Sequence, residues 1–304
     1  MLVFFSGCLL FLGGLEACKW AIRNIINEKL KKIIISLDRH IILSIIIGIV
    51  ITSIMQSSSA VSIILISLIE SGAISFKSAF CIMMGANIGT TITLQIISLP
   101  VLNFYPHLII IAVSIILLSR LFNNKKLFFA GVYIFFFAVV FAGLLLMSSV
   151  FKTQDKSGLI MDILKYSSNN IYLGIITGTI TTAVIQSSSA VTGIIFSFAL
   201  NRMINLETAV AVILGSNIGT CITAFLASLN AGIMSKRFAK SNFIFNIIGV
   251  ITLLPLFTLF IKIIRLSSSH LPGQIANAHT FFNIYNVLVF LPFINTFICS
   301  IEND

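Results

Sequence analysis

Apolar residues run almost unbroken over 2–18, 41–70, 78–98, 106–121, 127–150, 171–200, 208–228, 242–264 and 279–299, with polar or charged residues between the runs. Most of these runs are as long as a membrane-spanning helix. Two of them, 41–70 and 171–200, are longer. As one straight helix each would measure about 45 Å, too long for a hydrocarbon core of about 30 Å, while two halves of about fifteen residues would each be too short to cross it. A re-entrant helical hairpin, entering and leaving on one side, fits both limits. Before each of these runs lies a polar, mildly amphipathic stretch. Leu30, Ile33 and Ile34, and then Ile160, Ile163 and Leu164, fall at helical spacing. They suggest a short helix lying in the membrane interface, or a solvated loop.

The pattern is duplicated. Gln56-Ser57-Ser58-Ser59-Ala60-Val61 returns unchanged as Gln186-Ser187-Ser188-Ser189-Ala190-Val191, and Gly85-Ala86-Asn87-Ile88-Gly89-Thr90 returns as Gly215-Ser216-Asn217-Ile218-Gly219-Thr220. From 56 to 186 and from 85 to 215 the shift is the same 130 residues. That shift also carries Phe11, Gly13 and Leu15 onto Phe141, Gly143 and Leu145, and Gly48 and Thr52 onto Gly178 and Thr182. Two motifs and their flanks in one ungapped register mark an internal repeat. The expected division is a first repeat over 1–126, a second over 127–265 and a C-terminal helix and tail over 266–304.

Composition agrees with a membrane protein. Of 304 residues 58% are hydrophobic and 9% charged, and the mean hydropathy is +1.10, where a soluble domain carries about 25% charged residues. The net charge of +10 does not point to nucleic acid, because the Lys and Arg residues sit in short gaps between apolar runs, as topology signals do. Cys8, Cys18, Cys81, Cys221 and Cys299 show no paired spacing and no partner histidines, so free thiols are expected. The first fifteen residues contain no Lys or Arg. They are read as part of the first membrane helix and not as a removable signal peptide.

If each hairpin returns to the side it came from, the gaps 19–40, 71–77, 120–126 and 229–241 share one side and hold thirteen of the nineteen Lys and Arg residues, against six on the other. The first side is then cytoplasmic. Each repeat crosses an odd number of times, so the copies have inverted topology and their hairpins enter from opposite faces. The predicted fold class is an all-α polytopic membrane protein of two inverted-topology repeats, each with a re-entrant helical hairpin and a helix broken at Gly-x-Asn-Ile-Gly-Thr. Inverted repeats with broken helices near the midplane describe a secondary transporter.

The motifs supply chemistry that suits ions. Hydroxyl and amide oxygens suit hard cations such as sodium, while hydroxyls, amides and free backbone N–H groups suit an oxyanion. Glycines around Asn-Ile let the backbone unwind, although Gly-x-x-x-Gly is also a common helix contact and a lone membrane serine often bonds its own helix. No charged residue lies inside the expected hairpins or broken helices, and Glu16, Glu70 and Glu207 sit at segment ends. With no buried acid to relay protons and no Arg to clamp an anion, charge on a bound anion would be offset by helix N-termini and co-bound cations. That favours sodium over proton coupling. His40 and His107 read as interfacial, and His279 as a polar residue near a helix end.

At these motifs the chain resembles the sodium-dependent phosphate cotransporter family, the type II cotransporters and their bacterial relatives. That family carries paired Gln-Ser-Ser-Ser motifs, each followed by a Gly-Ala-Asn-Ile-Gly-Thr-Thr-like stretch; the segment at 276–283 resembles a late family signature and Phe245-Asn246 an earlier one. The resemblance implies phosphate bound by Gln56, Ser57, Ser58, Ser59, Gln186, Ser187, Ser188 and Ser189. It implies sodium bound by oxygens of Gln56, Ser57, Asn87, Thr90, Gln186, Ser187, Asn217 and Thr220. Cys221, standing where the first copy has Thr91, departs from the pattern. The expectation is sodium-coupled phosphate symport by alternating access in a bacterial inner membrane, with no cofactor and no metal beyond the coupling Na+. Its partners would be inorganic phosphate, sodium, the lipid bilayer and a second copy in a homodimer, and no nucleic acid. Transport of another oxyanion or a carboxylate, and phosphate export, stay open. An intramembrane serine hydrolase ranks lower, because neither hairpin contains a His or Lys to act as base.

Overall fold

The computed structural model describes residues 2–36, 40–99, 104–153 and 170–303. Among the described residues there is no strand, and six helices are long and apolar enough to cross a membrane. This is an integral, multi-pass, all-α membrane protein. The first half comprises α1 (Leu2–Ser36), α2 (Ile41–Met55), α3 (Ser58–Glu70), α4 (Phe76–Ser98) and α5 (Tyr105–Leu121). The second comprises α6 (Lys125–Thr153), α7 (Ile171–Ile185), α8 (Ser188–Leu200), α9 (Leu206–Ser228) and α10 (Ile233–Leu253). A 3-10 turn at Leu254–Leu256 leads to α11 (Phe257–Leu266), then α12 (Leu271–Phe290), a second 3-10 turn and α13 (Ile294–Asn303).

Isoleucine-rich segments such as α2 would be weak helix formers in water. In a bilayer the backbone must satisfy its own hydrogen bonds, and the helix is how a single segment does so. Their outward faces show the solvent they were built for. Tyr172, Ile176, Ile180 and Val184 form an i, i+4 stripe on α7 that is exposed, Val184 to 77%. Ile42, Ile46, Val50 and Ile54 do the same on α2.

The duplication holds at the level of elements. α2, α3 and α4 begin at 41, 58 and 76, while α7, α8 and α9 begin at 171, 188 and 206, each 130 residues on, and the paired helices have equal lengths of 15, 13 and 23 residues. Each thirty-residue apolar run is a helical hairpin, broken at the Gln-Ser step. α2 runs parallel to α4, since Gly85 approaches Ile45 and Gly89 approaches Ile49. α7 runs parallel to α9 in the same way, through Gly215 on Ile175 and Gly219 on Thr179.

These glycines correct one expectation. The Gly-x-Asn-Ile-Gly-Thr stretches do not break their helices: α4 and α9 are continuous over 23 residues each. The reason is packing. A methyl group on Gly85 would lie 1.9 Å from the Ile45 carbonyl oxygen, one on Gly215 1.9 Å from that of Ile175, and one on Gly48 2.0 Å from that of Ile82. The missing side chains let hairpin and long helix touch backbone to backbone.

Two boundaries also differ from the sequence reading. α1 continues to Ser36, so the stretch containing Leu30, Ile33 and Ile34 is the end of that helix and not a separate interfacial one. The counterpart at 160–164 lies outside the described residues. α10 begins at Ile233, which places Lys236, Arg237 and Lys240 on a helix and not in a loop. α1 and α6, the first helices of the two halves, lie side by side and antiparallel: Gly7 meets Met147, Gly14 meets Phe136 and Val140, and Cys18 Sγ donates to the Tyr133 carbonyl.

Candidate functional site

Each hairpin turns on two residues of opposite backbone habit. Gln56 (φ 51, ψ 32) and Gln186 (φ 57, ψ 26) are left-handed, and the following Ser57 (φ −155, ψ 99) and Ser187 (φ −149, ψ 106) are extended. A left-handed conformation costs a residue with a Cβ about 1–2 kcal/mol, and glycine would remove that cost. Both copies nevertheless keep glutamine there, which supplies an amide. Ser57 and Ser187 then cap the return helices by accepting from the Ala60 and Ala190 N–H groups at 3.2 and 3.3 Å. Each cap satisfies one N–H, the earlier N–H groups of Ser58, Ser59, Ser188 and Ser189 have no intrahelical acceptor, and both helices direct the positive ends of their dipoles at the break.

The two breaks lie far apart in sequence and open into one space. A cavity of about 370 Å3 is lined by Gln56, Ser57, Ser58, Ser59, Gln186, Ser187, Ser188 and Ser189 together. Thr90 also lines it, as does Thr223 on α9, whose hydroxyl donates across the copies to Ser59 Oγ at 3.2 Å. A larger groove of about 610 Å3 between α7, α9 and α10 is walled mostly by apolar residues such as Ile218, Ile222 and Phe225, and offers few polar groups.

Of the remaining sodium candidates only Thr90 is brought to this cavity, and Asn87, Asn217 and Thr220 are not. Asn217 is buried and donates to the Ile213 carbonyl at 2.9 Å, and the Thr220 hydroxyl donates to the Ser216 carbonyl at 2.8 Å. Asn87 reaches the Met83 sulfur at 3.7 Å. Thr90 bonds back to the Ala86 carbonyl at 3.0 Å while lining the cavity. With α4 and α9 unbroken, these residues sit on helical faces and bond within their own turns, as hydroxyl and amide side chains in membrane helices commonly do.

Several polar residues in the interior have oxygens without a protein partner. Thr52 Oγ1 and Gln56 Oε1, one helical turn apart near the first break, are buried without a hydrogen bond, as are Thr93 Oγ1 on α4 and the side-chain oxygens of Asn246, Asn283 and Asn286. His279 lies in the middle of α12, buried, and not near a helix end. Its helix is tied to α4 through Gln95, which donates to Asn277 at 3.1 Å and Thr280 at 2.8 Å, and through the Thr280–Thr91 contact at 3.0 Å. At the position equivalent to Thr91, Cys221 turns instead to α10 and accepts from Asn246 at 3.3 Å.

One set of cavity residues was not identified as such from sequence. Glu16, Lys19 and Arg23 line the same space, projecting from one face of α1. Their spacing of three and then four residues was visible, but α1 was expected to end at 18, so Lys19 and Arg23 read as loop charges. Among the described residues, the charged lining of the cavity comes from α1 alone.

Over 261 residues the chain is 31% identical to the uncharacterized protein YqeW of Bacillus subtilis, a match covering 85% of this chain and 83% of that one. It is 22% identical over 250 residues to the putative inorganic phosphate export protein YjbB of Salmonella typhimurium, covering 82% of this chain and 46% of the relative, so it spans about half the length of that protein. A shorter stretch of 93 residues, 29% of this chain and 14% of the relative, is 40% identical to the sodium-dependent phosphate transport protein 2A of Oryctolagus cuniculus. No solved structure matches. The family model described as Na+/Pi-cotransporter matches residues 10–149 and 154–269, and with a hairpin in each matched segment and both breaks on one cavity, the chain belongs to that transporter family.

Proposed function

We propose that this protein moves inorganic phosphate across a bacterial inner membrane, coupled to sodium, by alternating exposure of the cavity between its two hairpin tips. The observation that carries the reading is the convergence of Gln56–Ser59 and Gln186–Ser189 on one cavity. Two helix N-termini aimed at a common space, with hydroxyls and amides around it, favour an oxyanion. The unpartnered oxygens of Thr52 and Gln56 beside it favour a small hard cation. In this reading the eight hairpin residues hold phosphate, Gln56, Ser57, Gln186 and Ser187 share oxygens with sodium, and Thr90 is a peripheral ligand. Asn87, Asn217 and Thr220 act through helix packing unless transport rearranges α4 and α9.

Residues 1–126 and 127–265 act in this mechanism as two inverted units. The antiparallel pairing of α1 with α6 supports that, because these helices hold equivalent places in the two copies. A rocking motion about such an axis exchanges the faces that each half presents.

A second reading is phosphate export. It is favoured by the name of the Salmonella relative and by Lys19 and Arg23, which line the cavity toward the end of α1 that the distribution of basic residues makes cytoplasmic. Serine hydrolysis gains little. Lys19 does bring an amine to the cavity, but its hydrogen bond goes to Glu16 at 2.5 Å, and the hydroxyls of Ser57 and Ser187 cap helices.

Radiolabelled phosphate flux in proteoliposomes, under sodium, potassium and proton gradients, tests the proposal. Accumulation driven by an inward sodium gradient and competed by arsenate but not sulfate is the expected result. Flux indifferent to sodium would remove the coupling, and no phosphate movement in correctly inserted protein would remove the substrate.

A further inference from the structure

The charged residues of the cavity break the symmetry of the duplication. Glu16, Lys19 and Arg23 on α1 correspond, 130 residues on, to Leu146, Ser149 and Thr153 on α6, none of which carries a charge. α1 and α6 are the helices that accompany the two hairpins, yet among the described residues only α1 brings charge to the cavity.

We infer that Lys19 and Arg23 form a one-sided anion-capturing collar, with Glu16 as a built-in competitor, that raises apparent phosphate affinity on one face of the membrane and not on the other. The inference rests on the phosphate reading above and adds residues that the hairpin motifs do not include. Lys19 is largely covered, its side chain 12% exposed, and holds Glu16 at 2.5 Å, whereas Glu16 is 70% exposed. An ion pair with one partner mostly in solvent is weak and readily exchanged. A phosphate arriving at the cavity mouth can displace the carboxylate and take Lys19 and Arg23 as its own counter-charges, before passing to the hydroxyls and N–H groups of the hairpin tips. A cavity walled by low-dielectric protein concentrates such a field on an incoming anion.

When the cavity opens to the opposite face, the equivalent place beside it belongs to α6, whose counterparts of the three charged residues carry no charge. A purely topological role for the two basic residues would orient the protein in the membrane but would leave the KM for phosphate unchanged on both faces.

The experiment measures radiolabelled phosphate KM from each face, using intact cells and inverted membrane vesicles, at low and high ionic strength and normalised to inserted protein. For the wild type, one face shows a KM that rises with ionic strength. In K19Q/R23Q that face is expected to show a KM about fivefold higher and little further dependence on salt, since screening acts only on charges that are present. KM at the other face and the maximal rate stay as in the wild type. E16Q removes the competing carboxylate without touching a positive charge and is expected to lower KM on the same face by about twofold. It carries the test if the double variant inserts poorly. Unchanged KM in both variants, or equal shifts on both faces, overturns the inference while leaving phosphate transport standing. A wild type that moves no phosphate overturns both.

Discussion

The two hairpins have the same backbone and different surroundings. Gln56 is 4% exposed and its Oε1 has no partner, whereas Gln186, in the same left-handed conformation, is exposed at the cavity. One turn earlier, Thr182 Oγ1 donates to Ser216 Oγ at 2.8 Å. Thr52 has Ala86 at the equivalent place and its hydroxyl is left without a partner. Duplication has preserved the fold of the break, and single side chains around it have made one copy self-satisfied and the other short of hydrogen bonds. The first copy, where the Thr52 and Gln56 oxygens have no partner, is therefore the better candidate for the cation site proposed above.

The largest expected effect comes from the feature that the copies share. Gln56→Ala or Gln186→Ala is expected to reduce phosphate flux by about 100-fold or more, as loss of a group that is needed only in the productive complex does, with the protein still reaching the membrane. Flux at the wild-type level in both variants would remove the hairpins from the site. Near-normal flux in one alone would show that the copies are not equivalent.

Gly85→Ala and Gly215→Ala come next. Each sets a methyl 1.9 Å from a backbone carbonyl oxygen, and such overpacking is expected to cost about 1–3 kcal/mol, read as a lowered thermal unfolding midpoint in detergent. Equal losses in the two variants would show that the glycine seams bear the same load in both copies.

A smaller effect is expected for Ser216→Ala, which makes the second copy resemble the first. Removing the partner of Thr182 should cost about 1 kcal/mol. The reverse exchange, Ala86→Ser, gives Thr52 a partner. It is expected to leave stability equal or slightly higher and to weaken sodium activation by a few-fold, measured as the sodium concentration for half-maximal flux. An unchanged sodium dependence would dissociate Thr52 from the cation. Cys221→Thr, which copies Thr91, is expected to change flux by less than about twofold because the thiol is held against α10, by the Asn242 carbonyl and the Asn246 amide, rather than at the hairpin cavity.

Much of this fold was legible in the sequence because a membrane enforces simple rules. The length of the 41–70 run excluded one straight span, and the repeat fixed where the second hairpin would be. The glycines were harder. Gly85 and Gly89 are as compatible with an unwound backbone as with a tight helix seam, and what decides is the Ile45 and Ile49 carbonyls, which a local reading of the motif does not place beside them. The site was half legible for a related reason. Gln56–Ser59 and Gln186–Ser189 stood out as polar residues within apolar runs. Lys19 and Arg23 looked like any basic residues at a membrane edge, and their relation to the cavity depends on α1 extending past the apolar run.

The glycine seams have a mechanical consequence. α2 is welded to α4 through Gly48, Gly85 and Gly89, and α7 to α9 through Gly178, Gly215 and Gly219, with carbonyl oxygens seated where side chains would otherwise stand. A hairpin tip fastened in this way cannot swing as an independent flap. Each tip is the end of a stiff lever whose arm is a long helix, and the looser contact is the one between α3 and α9, where Thr223 touches Ser59. Motion of the two halves is therefore geared: displacement of one tip tilts its long helix, and the cavity between the tips is reshaped from both sides at once.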